Sequence, residues 1–278
     1  MVVCHCAWLA LSLLLLPFAA VGQQQAAVAY APKVSSCPKG VELIRRTDAY
    51  DQALNTDERT YVQTRESKVL PQQWATYLAN VQANAASTYT VIPSYVSSIL
   101  GGHDPSRFPR LAITVSGGSY RAAIFSAGVL NALDGRNASS AHAGTGGLLQ
   151  SASYIGGLSG GAWMLSSLLQ ANFPTIPDLI FAPGASQDPE SSVNAFGGWI
   201  TSIDILQPSS DPQVLEEFIG LLLAEAAGKR EAGFPVTVTD LWTRSLARHF
   251  VNGTTAANFF NPNFTHGAGI TLSGLTKL

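Results

Sequence analysis

Ser153-Tyr154-Ile155-Gly156-Gly157-Leu158-Ser159-Gly160-Gly161-Ala162-Trp163 passes from a short β-prone run through a glycine-rich turn into a helical pattern. Trp163, Leu165, Leu168 and Leu169 form an apolar stripe at helical spacing over 162–171. Another strand-turn-helix lies upstream. Leu111–Val115 follows Pro109 and reads as a buried strand. It breaks at Ser116-Gly117-Gly118 and leads into a helix over 122–133, which ends at Asp134-Gly135, where glycine suits the residue after the last turn. Strand alternating with helix predicts an α/β protein, a layered sheet with flanking helices.

Farther out, 57–62 is helical in pattern, and a second helix starts at Pro71 with Trp74, Tyr77, Leu78 and Val81 at helical spacing. Asp211-Pro212 opens a helix with Val214, Leu215, Phe218, Leu221 and Leu222 on one side, and Gly228 is expected to stop it. Residues 139–147 read as a small-residue loop, and 174–210, rich in Pro, Gly and Ser, as another. No internal repeat is visible.

Composition narrows the class. The 278 residues are 46% hydrophobic and only 12% charged, which excludes a mainly disordered chain. Sixteen Lys and Arg against eighteen Asp and Glu leave a net charge of −2, so no basic field exists for nucleic acid. Residues 1–22 read as a secretory signal peptide, with an apolar stretch around Leu13-Leu14-Leu15-Leu16 and a small-x-small pattern at Ala20-Val21-Gly22. A loose mature N-terminus over 23–40 and one domain over 41–278 are expected to follow. Cys4 and Cys6 leave with the signal, and Cys37 remains. The sequons at Asn137, Asn252 and Asn263 fit a glycosylated secreted protein. The chain stops at Leu278 inside an apolar segment, which reads as a fragment truncated at its C-terminal side, with any surface anchor on the missing part.

Gly157-Leu158-Ser159-Gly160-Gly161 matches G-x-S-x-G, the nucleophile elbow. The turn presents the serine hydroxyl, the glycines let the backbone bend, and the following helix points its positive end at the serine. Ser116-Gly117-Gly118-Ser119-Tyr120-Arg121 stands in the same context and offers unpaired amides to an oxyanion or a phosphate. Arg121 lies on the side where an anion would sit. Neither a nucleotide P-loop ending nor a Rossmann glycine pattern is present, and nothing calls for a metal or another cofactor.

Val115-Ser116-Gly117-Gly118-Ser119-Tyr120-Arg121-Ala122, the run from Leu148 to Trp163, and Thr239-Asp240-Leu241-Trp242-Thr243-Arg244-Ser245-Leu246 resemble the secreted fungal phospholipase B, or lysophospholipase, family, related to the group IV cytosolic phospholipases. The resemblance implies a serine–aspartate dyad without histidine. Ser159 would be the nucleophile, Gly117, Gly118, Ser119 and Gly160 the oxyanion donors, and Arg121 the ligand of the substrate phosphate. It implies no cofactor, and as partner a phospholipid or lysophospholipid at a membrane or micelle surface; no protein partner is expected. The implied aspartate belongs to an Asp-Gly-rich motif, for which no match occurs before Leu278. Two positions depart from the family pattern: Ser119 stands where a third glycine is usual, a strained choice if φ is positive, and Thr243 replaces another glycine.

Three other readings stay open, one of them a secreted α/β domain whose glycine loops are only structural. Asp204 or Asp240 with His249 or His266 follows Ser159 in the Ser…Asp…His order of an ordinary esterase. A lipid-binding protein on a hydrolase fold would carry the same turns without catalysis. The remaining features read as structural: Trp74, Trp163, Trp199 and Trp242 as core or pocket wall, Asp188, Asp204 and Asp211 as caps, Asp240 as a cap or a partner of Arg244, and His249 as a boundary residue of an amphipathic helix.

Overall fold

The computed structural model describes residues 24–28, 30–36, 39–40, 49–50, 52–96, 108–181 and 198–250. The signal segment, Cys37, His103, Asp188, His266, and the sequons at Asn252 and Asn263 lie outside them. The chain divides into two compact units, one built from 37–194 and one from 1–36 with 195–269, where the sequence suggested a single span from 41.

In the 37–194 unit, the Asn55 side chain accepts from the Asp57 amide and starts α1, Thr56–Thr64. Asp57 and Glu58 in its first turn complement the helix dipole. A π-helical stretch, Arg65–Val69, joins it directly to α2, Leu70–Thr88. The two helices expected over this region are thus linked without a loop. Leu70, Trp74, Leu78 and Phe108 form a core cluster, and Trp74 Nε1 donates to the Pro109 carbonyl at 3.2 Å.

β1, Leu111–Val115, and β2, Ala152–Gly157, pair in parallel, with Val115 opposite Gly157 at the end that leads into the two turns. Between them run α3, Ser119–Leu133, α4, Ala138–His142, and α5, Leu148–Ser151. After β2 come α6, Gly160–Gln170, and α7, Ile176–Phe181. This is the expected α/β arrangement, a small parallel sheet with flanking helices. β1 is less buried than its apolar run suggested: Val115 is buried but Ala112 and Thr114 are exposed. Two strands are paired among the described residues, so β1 has a single neighbouring strand there.

The small residues Ala123, Ser126 and Ala127 of α3 face inward, as do Gly160, Gly161, Met164, Leu165 and Leu168 of α6, and the two helices pack on each other. Polar groups tie the turn after α3 to its surroundings. Buried Asp134 takes a bidentate contact from Arg136 and a 2.7 Å bond from Gln150 Nε2, and Arg136 donates onward to the carbonyls of Phe173 and Pro174. Both oxygens of the buried carboxylate thus accept hydrogen bonds, which offsets its desolvation. Arg65 donates to the carbonyls of Gln150 in α5 and Ala152 at the start of β2, and Tyr61 to that of Ser153 in β2.

In the other unit, residues 24–28 are helical, Ala26 is buried, and Tyr30 donates to Asp240 at 3.2 Å, so part of the stretch expected to be loose is ordered against its own unit. α8, Pro212–Glu231, begins where the Asp211 side chain accepts from the Gln213 amide, the cap expected of Asp211. It does not stop at Gly228. The backbone of Ala27 lies against Gly228 where any side chain would collide, so this glycine permits packing rather than ending the helix. α9 spans Val238–Phe250. Buried Glu225 binds both Arg244 and Arg248 at 2.8 Å, and Ile200, Phe218 and Leu222 form the apolar core beside it. Asp240 accepts from the Thr237 amide as a cap, one of the two roles expected of it, and its ion pair is with Lys229 rather than Arg244. Those bonds hold its carboxyl well below the usual carboxylate range, at about 2.

Candidate active site

β1 and β2 end side by side, so both glycine-rich turns leave the sheet at the same edge. The Leu158 amide donates to the Val115 carbonyl at 3.0 Å and ties the turns together. Ser159 sits between β2 and α6 with φ 50° and ψ −120°, a backbone state sparsely used by residues with side chains. It is exposed. The sharp bend lifts it out of the strand and places it at the N-cap of α6, whose dipole favours negative charge there.

Glycine is required where the turns meet. A Cβ on Gly117 would lie 2.8 Å from Ser159 Cβ and 3.4 Å from its Oγ. A Cβ on Gly161 would lie 2.7 Å from the carbonyls of Val115 and Ser116, and one on Gly160 would overlap the Ser119 carbonyl. Gly118 has φ 137°, and Ser119 has φ 58° at the start of α3. Ser119 therefore occupies the left-handed region in which a glycine would be unstrained.

The structure brings Gly117, Ser119 and Gly160 together with Ser159, with Gly118 in the same turn. Among the described residues, the amides of Gly117, Gly118, Ser119 and Gly160 donate to no carbonyl or side chain. Unpaired amides in turns that flank an exposed hydroxyl can receive a developing oxyanion. Arg121 stands in the first turn of α3, exposed, with no ion pair or hydrogen bond among the described residues. Asn137 caps α4: its Oδ1 accepts from the Ser139 amide and its Nδ2 donates to the Asn131 carbonyl. Tyr120 and Trp163 meet edge to face at 6.1 Å and 82°. This pair was not singled out in the sequence, where the only sign of it is an aromatic residue soon after each turn.

Among the described residues of this unit, buried Asp134 is bound by Arg136 and Gln150, and buried Asp178 accepts from the Thr175 hydroxyl at 2.6 Å. Of the residues considered for a histidine triad, Asp204 accepts from the amides of Leu206 and Gln207, and Asp240 is bound by Lys229. His249 is buried, not at a boundary. Its Nδ1 is 2.7 Å from the Ile200 carbonyl, and burial lowers its pKa.

With the two turns interlocked in this way, the sequence comparisons agree with the fold. The lysophospholipase catalytic domain profile matches residues 111–266, and the chain belongs to that family. The chain is 32% identical to lysophospholipase 2 of Candida glabrata over 95% of its own length and 34% of that protein's. It is 33% identical to lysophospholipase 3 of Aspergillus fumigatus, covering 81% of this chain and 33% of the relative. Lysophospholipase of Kluyveromyces lactis is 30% identical over 80% of the chain and 32% of the relative. The chain thus spans about a third of the length of these relatives. No solved structure matches it.

Proposed function

We propose that the chain carries the serine nucleophile and oxyanion donors of a lysophospholipase or phospholipase B site, which hydrolyses the fatty-acyl ester of a lysophospholipid, or of a diacyl phospholipid, at a membrane or micelle surface. The observation that carries this reading is the contact between Gly117 and Ser159, which puts a strained, exposed serine against a turn of unpaired amides. Ser159 Oγ attacks the acyl carbonyl carbon, and the carbonyl oxygen becomes an oxyanion that accepts from amides among Gly117, Gly118, Ser119 and Gly160. The ester C–O bond then breaks, the glycerol oxygen leaves as its alcohol after taking a proton, and water releases the fatty acid from the acyl-serine.

The Oγ proton goes to an aspartate base, following the dyad implied by the family resemblance. Asp134 and Asp178 are committed to other partners and do not fill this role. Arg121, exposed at the rim of the same turn, binds the substrate phosphate. The signal segment at 1–22 directs the protein to the secretory route, where Asn137, Asn252 and Asn263 are the glycan acceptors.

The test is release of free fatty acid from lysophosphatidylcholine. The reading expects release that is lost in Ser159→Ala and kept in His249→Gln. Binding of the lipid without release would favour a non-catalytic lipid-binding role, and loss of activity in the histidine variant would favour a triad.

A further inference from the structure

Glycine contacts let the two turns approach, but a glycine supplies no side chain to hold the approach. Gly117, Gly160 and Gly161 let the backbones of 115–119 and 157–161 touch, with the Leu158 amide bonded to the Val115 carbonyl and Val115 Cγ2 against Gly161. The next residues outward add a side-chain contact between the two helix starts. Tyr120 follows Ser119 in the first turn of α3, and Trp163 lies in the first turn of α6, its amide donating to the Ser159 carbonyl at 3.0 Å. Their rings meet with centroids 6.1 Å apart and planes at 82°, the edge-to-face geometry that the aromatic quadrupole favours. Both rings are half-buried. Behind them the small residues Ala123 and Ala127 on α3 and Gly161 on α6 are buried with Met164, Leu165 and Leu168, and the aromatic pair is a ring contact that joins the first turns of the two helices.

We infer that Tyr120 and Trp163 are positioning residues. Their contact sets the separation between the Ser159 hydroxyl and the amides of 117–119, and through it the rate at which the serine is acylated. The inference rests on the proposed role of Ser159. Loss of either ring leaves the strands, caps and core clusters in place but lets the helix starts drift, and a displacement near 1 Å at a reacting centre costs up to about 100-fold in rate.

The experiment measures the second-order rate of labelling by a fluorophosphonate probe, which needs the nucleophile and the oxyanion donors but no lipid recognition, together with thermal unfolding. Tyr120→Leu and Trp163→Leu are expected to slow labelling by about tenfold or more, a fraction of that limit. The double variant is expected to be no slower than the worse single one, because both changes remove one contact. Trp163→Phe, which keeps an aromatic edge, recovers part of the rate. Trp74→Leu removes an aromatic from the separate Leu70–Phe108 cluster; it lowers the unfolding temperature at least as much while labelling at the wild-type rate below that temperature. Wild-type labelling rates in the Tyr120 and Trp163 variants, or a drop in Trp74→Leu equal to theirs, overturn the inference and leave the role of Ser159 standing. Failure of the wild-type chain to label at Ser159 overturns both.

Discussion

Gly117 and Ser159 stand face to face across the two turns, with room between them for a hydrogen but not for a methyl group: an added Cβ would come within 2.8 Å of Ser159 Cβ. The φ of Gly117 is not positive, so alanine there would meet no backbone penalty of its own. Gly117→Ala is therefore a clean test of the interlock. The methyl group pushes the amide-bearing turn from the serine, and fatty acid release is expected to fall by about 100-fold or more, the effect of losing an oxyanion donor. Activity within a few-fold of wild type would show that the turns do not work together.

Ser119 adopts φ 58°, the left-handed conformation expected to strain a serine at this position. Replacing it with glycine removes about 1–2 kcal/mol of steric cost and adds back about 0.5–1 kcal/mol of backbone entropy. Ser119→Gly is thus expected to raise the urea midpoint by a small amount at an unchanged slope. A lowered midpoint would mean that the serine side chain contributes more than its strain costs.

Arg121 makes no ion pair or hydrogen bond among the described residues, so its removal is expected to shift stability by less than about 0.5 kcal/mol. Its proposed partner is the substrate phosphate, through a charge-assisted bond worth about 1.5–3 kcal/mol. Arg121→Gln should lower kcat/KM for lysophosphatidylcholine by about tenfold or more and leave that for an uncharged short-chain ester unchanged. An equal loss on both substrates would place Arg121 in the scaffold instead.

His249 is buried, and its pKa is lowered, with burial the main cause. The unfolded chain titrates this histidine near 6.5, while the folded chain resists its protonation. Below that pH the unfolded state holds more protons, so the stabilising contribution is complete above about 6.5 and is lost as pH falls through that value toward the lower folded one. The stability of the wild-type protein from pH 7.5 to 5 should therefore show a downward slope that is shallower in His249→Gln. Parallel slopes would remove His249 as its source.

Much of this site is legible in the sequence because glycine and serine spacing fixes backbone geometry directly. β1, the turn at 116–118, the elbow at Ser159 and the helix after it lie where apolar runs and breaks place them. What escaped the reading depends on contacts distant in sequence or on short local caps. Gly228 looks like a helix stop, but the backbone of Ala27 has to pass over it. α7 hides in a Pro-rich stretch, although Thr175 and Asp178 bond to each other across its first turn, a pairing that Thr-x-x-Asp can announce. α4 starts at Asn137, which drew notice only as a sequon. The pairing of Glu225 with Arg244, rather than Asp240 with Arg244, depends on how α8 and α9 pack and cannot be read from spacing within one helix.

The most direct measurement locates a fluorophosphonate adduct by mass spectrometry of the labelled and digested chain. Modification on the peptide carrying Gly157-Leu158-Ser159-Gly160-Gly161, abolished by Ser159→Ala and by Gly117→Ala, is the predicted result. An adduct on another serine, or labelling that survives Ser159→Ala, would contradict the account.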